Sequence, residues 1–561
     1  MADDDVYDDD FVCKLFSSGI GTRNVASRTS ALDSIALCLE TWSTACQTAS
    51  EDRQRARKLL RDYLPTLLRL SDVCPFADVS VKCQSILQSA EARGVRIPLR
   101  KYDGPTSFIA NSKVVPLNTE NEETHELFVE AFLVDNRVTN MVRLMGYHPR
   151  YLTCFLRFHT YLMFQDGPLP LHLRHYIAIL AAARHRCSYL VSLCEINFVN
   201  LGGDPKWLEG LENVPPKIQA LNDINNIICH QPWLIAKTDI EALVQPGPNG
   251  WSLSELMHAV VILCHYHCLS GFAHGCCLNP EIDTKDGHIM RPLSQEVETD
   301  ILPNGSRRSS AISSIGSSMP STPRGSLTSE ATLADDGDDR ESEEIRILEH
   351  LREELSDDEM TTTELELQEF ETQSKASAEI TPSSGGTLPA NGLARYMEEP
   401  EFQHQDFTQS GLNTSRTFRV LDYSWEDHGY SLANRLYPDV GQLLEEKFRL
   451  TSVLTYQTFG STTDVDTSRF RCAVWNYIHC IKGIYHDDYH YAEVNKLLNI
   501  PIKKYIKLVT CYPERVTVTD FRGFMNILSP SEKVHLNLLL LEARLQAELL
   551  YVLRAIMQHM T

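Results

Sequence analysis

The stretch Asp166–Cys194, DGPLPLHLRHYIAILAAARHRCSYLVSLC, decides the fold class. It is an alanine- and leucine-rich run of good helix formers, opened by a Pro/Gly turn. Its reading places one cysteine, Cys187, on a helix behind Arg174, His175, Arg184, His185 and Arg186. Cationic neighbours stabilise a thiolate, so a reactive cysteine is expected here. Cys194 follows on the same run. On one continuous helix the two would share a face roughly 10 Å apart along the axis, beyond the ~7 Å between Cα atoms that a disulfide tolerates. The plainer expectation is that both are ordinary buried thiols, since free cysteine is among the most buried residue types.

The same helical signal extends outward. Apolar residues recur at three- and four-residue steps in ALDSIALCLETWSTAC and RQRARKLLRDYLPTLLRL. Ser252-Leu-Ser-Glu255 forms a capping-box pattern ahead of LMHAVVILCHYHCL, and Ser529-Pro530-Ser531-Glu532 opens the last helix in the same way. That last helix is apolar over much of its circumference, which predicts a central core position. Strand signals are sparse, so the chain is expected to be all-α. Five regions are expected: a disordered acidic N-terminus (1–30), a helical segment (31–103), a first helical domain (104–285), a disordered Ser-rich and acidic linker (286–414) and a second helical domain (415–561).

The net charge of −23 is concentrated. Between Glu330 and Glu371, 18 acidic residues face three arginines, and six aspartates crowd Asp3–Asp10. The remainder is close to neutral, which argues against a nucleic-acid footprint. Sixteen cysteines without a Cys-x-x-Cys pair, in a chain this large, suit a reducing compartment, cytosol or nucleus. The acidic N-terminus is unlike a secretory leader, and no run is read as a membrane span. Arg307-Arg308-Ser309-Ser310 and Thr322-Pro323 resemble kinase sites, making kinases candidate partners of the linker.

Several stretches carry a resemblance. The Asp166–Cys194 run is similar to the alkylhydroperoxidase D centre, in which a Cys-x-x-Cys pair precedes a histidine by one turn. Here Leu190 stands at the second cysteine and Cys194 at the histidine. More specifically, YHPRYL (Tyr147–Leu152), GGDPKWLEGLEN (Gly202–Asn213), WEDHGYSLANRLYPDVGQL (Trp425–Leu443), VWNYIHC (Val474–Cys480) and SEKVHLNLLLLEARLQAELLYVLRAI (Ser531–Ile556) resemble the sestrins, in order, over roughly 104–285 and 415–561. The resemblance implies two alkylhydroperoxidase-like helical subdomains joined by a partly disordered connector. It also implies a stress-inducible inhibitor of TOR complex 1 signalling, which binds the GATOR complex and releases it when leucine binds.

By the same resemblance, Glu532 and Arg471 would hold the ammonium and carboxylate of leucine, because each charge of a zwitterion in a closed pocket must be paired. Thr455, Tyr456, Thr458 and Thr467 would form a lid, and His535, one turn beyond Glu532, would orient the ligand. Met525 and Leu528 stand where the family has a tryptophan and a phenylalanine, so a broader side-chain preference is expected. Asp487 and Asp488 match the family's paired aspartates at the partner surface, with His148 and Ser252 as further partner-binding candidates. Local roles compete with these: Glu532 can close a capping box with Ser529, and Ser252 can serve as an N-cap.

Three other readings are open. Cys187 and Tyr189 survive from the family's redox motif and would be the catalytic pair of a weak alkyl hydroperoxide reductase. The missing histidine, however, leaves the thiol without proton transfer. Cys264, His265, His267 and Cys268, with His274, Cys276 and Cys277 nearby, are rich in soft ligands, but the helical run separates them and no metal or other cofactor is expected. A pure scaffold would have no reason to carry Thr455, Arg471 and Glu532 together.

Overall fold

The computed structural model describes residues 5–47, 52–290, 345–352, 392–405, 417–455, 457–523 and 527–561. The fold is all-α. Its only strands, among the described residues, are two-residue pairs: Leu99–Arg100 with His288–Ile289, Phe418–Arg419 with Ile484–Tyr485, and Thr458–Phe459 with Thr462–Thr463.

The centre is made by two long helices from opposite ends of the chain. Leu253–Gly275 starts at the capping box between Ser252 and Glu255, and Pro530–Met560 starts at the matching box between Ser529 and Glu532. Nearly every residue of the first helix, and of the second as far as Ile556, is buried. Leu171–Arg184 and Ser188–Asn200 pack beside the first; Val440–Thr451 and Ser468–Ile481 pack against the second. One apolar cluster therefore runs through both halves. Leu253–Gly275 is the one described helix long and apolar enough to cross a membrane. By length and a mean hydropathy of 1.4 it qualifies, yet the whole stretch is buried inside the protein.

The helices carry charge into this core. Glu542 and Glu548, one and a half turns apart on the final helix, are fully buried. Glu542 Oε1 accepts from Tyr151 Oη at 2.5 Å and lies 3.0 Å from Lys447 Nζ. Glu548 meets His267 Nδ1 at 3.1 Å and Arg544 Nε at 2.7 Å. Buried carboxylates persist only when paired in this way, and each of these pairings ties the final helix to another element or to its own next turn.

Two expectations are corrected. Residues 5–30 fold as short helical pieces, Asp5–Tyr7, Asp9–Lys14 and Leu15–Gly19, leading into the Val25–Gln47 helix, where a disordered tail was expected. Val6, Val12, Phe16 and Ile20 are buried, and Trp42 Nε1 donates to the Val6 carbonyl at 2.9 Å. These four apolar residues, interleaved with aspartates, supply a buried face that anchors the segment on the Val25–Gln47 helix. The proposed 286–414 linker also contains packed pieces. His288–Ile289 pairs with Leu99–Arg100, and Ile347 and Leu351 are buried in a short helix over 345–352. Residues 392–405 bury Leu393, Tyr396 and Met397, while Arg184 donates to the carbonyls of Glu399 (2.9 Å) and Phe402 (2.7 Å). The rest of that expectation, including Arg307–Ser310 and Thr322-Pro323, falls outside the described residues.

Candidate functional site

Glu532 and His535 are three positions apart on the final helix and so share one face. The Glu532 carboxylate accepts from the Ser529 amide at 2.8 Å, completing the capping box, and from the Gly460 amide at 3.0 Å. Gly460 is the tip of the Thr458–Phe459/Thr462–Thr463 hairpin, with φ of +63°. A Cβ there would stand 2.8 Å from the Ile527 carbonyl oxygen, so only glycine lets this amide approach the carboxylate.

Arg471, on the Ser468–Ile481 helix, is buried. Its Nε donates to the Ser452 carbonyl at 2.5 Å and its Nη1 to the Thr467 hydroxyl. Burial lowers its pKa to about 10, opposed by Asp466. Thr467 in turn donates to the Thr455 carbonyl at 3.2 Å, and Thr455 Oγ1 lies 2.7 Å from His535 Nδ1. The other His535 nitrogen, Nε2, lies 2.7 Å from the Thr451 carbonyl, which can only accept. His535 is therefore the neutral Nε2–H tautomer, and Thr455 donates to its Nδ1. Burial pushes the His535 pKa down to about 3, which holds it in that form.

The structure thus links Arg471, Thr467, Thr455 and His535 in one bonded chain and holds Glu532 to the same loop through the Gly460 amide, with the half-buried Thr458 on the hairpin and buried Leu528 just before the helix. Tyr456 and Met525 lie outside the described residues. The local and the ligand-holding readings of Glu532 are both accommodated: the carboxylate caps its own helix while facing the loop that Arg471 grips from the other side.

The partner candidates are dispersed. His148 is buried at the joint between halves, where its Nε2 donates to the Ser531 carbonyl at 2.9 Å. Asp487 and Asp488 are exposed, with the Asp487 carboxylate held by Arg419 at 2.6 Å. The preceding His486 bonds His479 at 3.0 Å, and His479 lies on the helix that carries Arg471. Ser252 is the exposed N-cap of Leu253–Gly275, accepting from the Glu255 amide at 3.2 Å.

The placement of Cys187 on a continuous helix behind the cations is corrected. Leu171–Arg184 ends before Cys187, Arg186 adopts a left-handed φ of 52°, and Cys187 is the N-cap of Ser188–Asn200. The helix break turns the expected cations elsewhere: Arg174 holds the Leu162, Gln165 and Leu169 carbonyls, and Arg184 holds the 392–405 segment. Burial pushes the Cys187 thiol up to about 11, only partly offset by the Leu190 amide and the Ser270 hydroxyl. Tyr189 Oη donates to Glu281 at 2.8 Å. A cysteine that the sequence reading passed over, Cys229, is better placed for chemistry: its sulfur lies 3.0 Å from His185 Nε2, to which Arg544 also donates at 2.7 Å. The only local signal for it was the Cys229-His230 dipeptide; its partners are distant in sequence. Among the described residues no group of three or more His, Cys, Asp or Glu side chains is arranged to hold a metal. Of the soft-ligand run, His267 is bound between Asn225 and Glu548, and His274 to the His185 carbonyl.

Comparison with known proteins decides the family. The family model described as PA26 p53-induced protein (sestrin) matches residues 104–560. The chain is a member of the sestrin family. It is 45% identical to sestrin-1 of Macaca fascicularis over 474 residues, covering 84% of this chain and 93% of that protein. Similarity to sestrin-3 of Mus musculus is 43% over 494 residues (85% and 96%), and to sestrin-2 of Homo sapiens 44% over 464 residues (82% and 91%).

Proposed function

We infer that this sestrin is a stress-responsive, leucine-binding negative regulator of TOR complex 1, acting in the cytosol or nucleus by binding the GATOR complex and releasing it when leucine occupies the C-terminal site. One observation carries the reading: a buried arginine and a buried glutamate, on different helices, are bridged by a threonine loop that bonds both. In this arrangement each charge rests on the chain's own backbone. Leucine would exchange those contacts, its ammonium meeting Glu532 in place of the Gly460 amide and its carboxylate meeting Arg471 in place of the Ser452 carbonyl. The exchange would draw the 455–467 loop onto the ligand, with Thr455, Tyr456, Thr458 and Thr467 as its lid and Leu528 among the apolar contacts. Because Arg471 and His479 share a helix, a shift there reaches His486 and the exposed Asp487–Asp488 pair, the surface we assign to the partner. A thermal-shift titration with leucine, isoleucine, methionine and arginine tests the ligand, since binding to the native state alone raises the melting temperature with concentration. A saturable leucine shift accompanied by loss of GATOR co-precipitation supports the reading; no shift up to millimolar leucine overturns it.

A further inference from the structure

A second site lies in the opposite half. A cavity of about 220 Å³ opens between the Asn140–Met145 helix and the Leu99–Arg100/His288–Ile289 pair, with Arg100, Arg143, Asp72, Tyr102, Asn111 and Asn140 on its walls. Its lining is mostly polar, and glycine admits the backbone at two points. At Gly104, with φ of +87°, a Cβ would meet Asn111 Oδ1 at 2.6 Å; at Gly287 it would meet the Glu281 carbonyl at 1.8 Å.

The charges around this cavity do not cancel locally. Two guanidinium groups face it against one lining carboxylate, Asp72, which is engaged by Arg100 at 2.7 Å; Asp103 at the rim lies 3.9 Å from the same guanidinium and accepts from Asn111 Nδ2 at 3.4 Å. Arg143 makes no ion pair or hydrogen bond from its side chain among the described residues, and its Nε is buried without a partner. The acids behind it are taken. Glu281 accepts from the Asn140 amide at 2.7 Å and from Tyr189 at 2.8 Å, and Asp283 is shared between Arg69 (2.8 Å) and Arg137 (3.2 Å). Burial lowers the Arg143 pKa even though Glu281 and Asp72 nearby act to raise it, with Arg100 adding to the lowering. A guanidinium presents its donors as a planar fork suited to an oxyanion.

We propose that this cavity binds a small oxyanion, of phosphate size, between Arg143 and Arg100, with the Asn111 and Tyr102 side chains as neutral partners. Nothing in the leucine reading requires this site, and none of its residues touches the Glu532 cluster.

The test is isothermal titration of the full chain with inorganic phosphate, at fixed ionic strength maintained with chloride. Saturable binding is expected, weakened at least tenfold in Arg143→Gln and also weakened in Arg100→Gln, which changes a half-exposed rim residue and leaves the core intact. O-phosphoserine forms a second arm: tighter binding than inorganic phosphate marks the natural ligand as a phosphate carried on a larger molecule, and equal or weaker binding marks a free anion. Absence of saturable phosphate binding overturns the proposal, as does binding of equal strength in both variants.

Discussion

His148 Nε2 donates to the carbonyl of Ser531 at 2.9 Å, joining residues 383 positions apart, and the His148 ring lies 5.6 Å from that of His535. The first half of the chain therefore grips the final helix next to the residues that gather around Glu532. A buried histidine in that place is a structural joint between the halves and, on the leucine-binding proposal, would also feel the occupancy of the pocket. His148→Ala is expected to destabilise the protein by about 1–2 kcal/mol, the cost of a lost buried hydrogen bond. Urea unfolding measures the first effect. Leucine-dependent stabilisation measures the second, and should be reduced although His148 does not line the charge-holding cluster.

Glu532→Gln separates the two roles of that side chain. Glutamine keeps an acceptor for the Ser529 and Gly460 amides, so helix capping should survive with a loss of no more than about 1 kcal/mol. The negative charge needed by an ammonium is gone, so the leucine-induced shift in melting temperature should disappear. A Glu532→Gln protein that still responded normally to leucine would take Glu532 out of the binding site.

The two capping boxes were legible in the sequence because Ser252–Glu255 and Ser529–Glu532 are purely local patterns. The helical class followed from apolar periodicity for the same reason. The gathering of Thr455, Thr467, Arg471 and His535 was reachable only through the family resemblance, since loop threonines and one arginine carry no signature of their own. Cys187 was misplaced because an uninterrupted alanine-rich run conceals a break at Arg186, a residue with no glycine-like preference for positive φ. The anchored N-terminus was missed because its aspartates outweigh four well-spaced apolar residues. The buried pairs Lys447–Glu542 and His267–Glu548 join positions far apart in sequence, so no pattern along the chain announces them.

Stability should fall in mild acid. Burial lowers the pKa of His535 and His175 to about 3 and of His159, His258 and His274 to about 4. In the unfolded chain these groups titrate near 6.5, so between that value and about 4 the unfolded state binds more protons. Their contribution is intact above about pH 6.5 and is lost as the pH drops towards the folded values. His267 works in the opposite sense, because Cys229 and Glu548 outweigh burial and raise its pKa, but it stands against these five and further buried histidines lowered in the same way, among them His185, His265, His404 and His479. Melting temperatures at pH 7.5, 6.0 and 5.0 should decline in that order, and a flat profile would contradict the histidine burial.

Thiol labelling separates the cysteines by exposure. Cys13 and Cys472 are exposed, with thiols raised by partial burial, whereas Cys187 is buried outright and its thiol is pushed up to about 11. The thiolate is the reacting form, so at pH 7 a native-state alkylating reagent should modify the exposed pair long before Cys187. Mass spectrometry of timed samples reads this directly. Modification of Cys187 at a rate matching Cys472 would restore the reactive-cysteine reading of the Asp166–Cys194 stretch.

The buried Lys447–Glu542 pair gives the sharpest test of how the final helix is held. Both side chains are fully buried, 3.0 Å apart, and Lys447 Nζ also sits 4.2 Å from the centre of the Phe158 ring. Lys447→Met removes the cation and leaves a carboxylate in the core with the Tyr151 hydroxyl for company, which should cost about 3–5 kcal/mol. Adding Glu542→Gln to that background removes the stranded charge while keeping an acceptor for Tyr151. The double variant should therefore recover more than half of the lost stability, so that the two changes are far from additive. Urea unfolding of the two single variants and the double variant closes the cycle. Additive losses would mean that the ammonium and the carboxylate are not coupled.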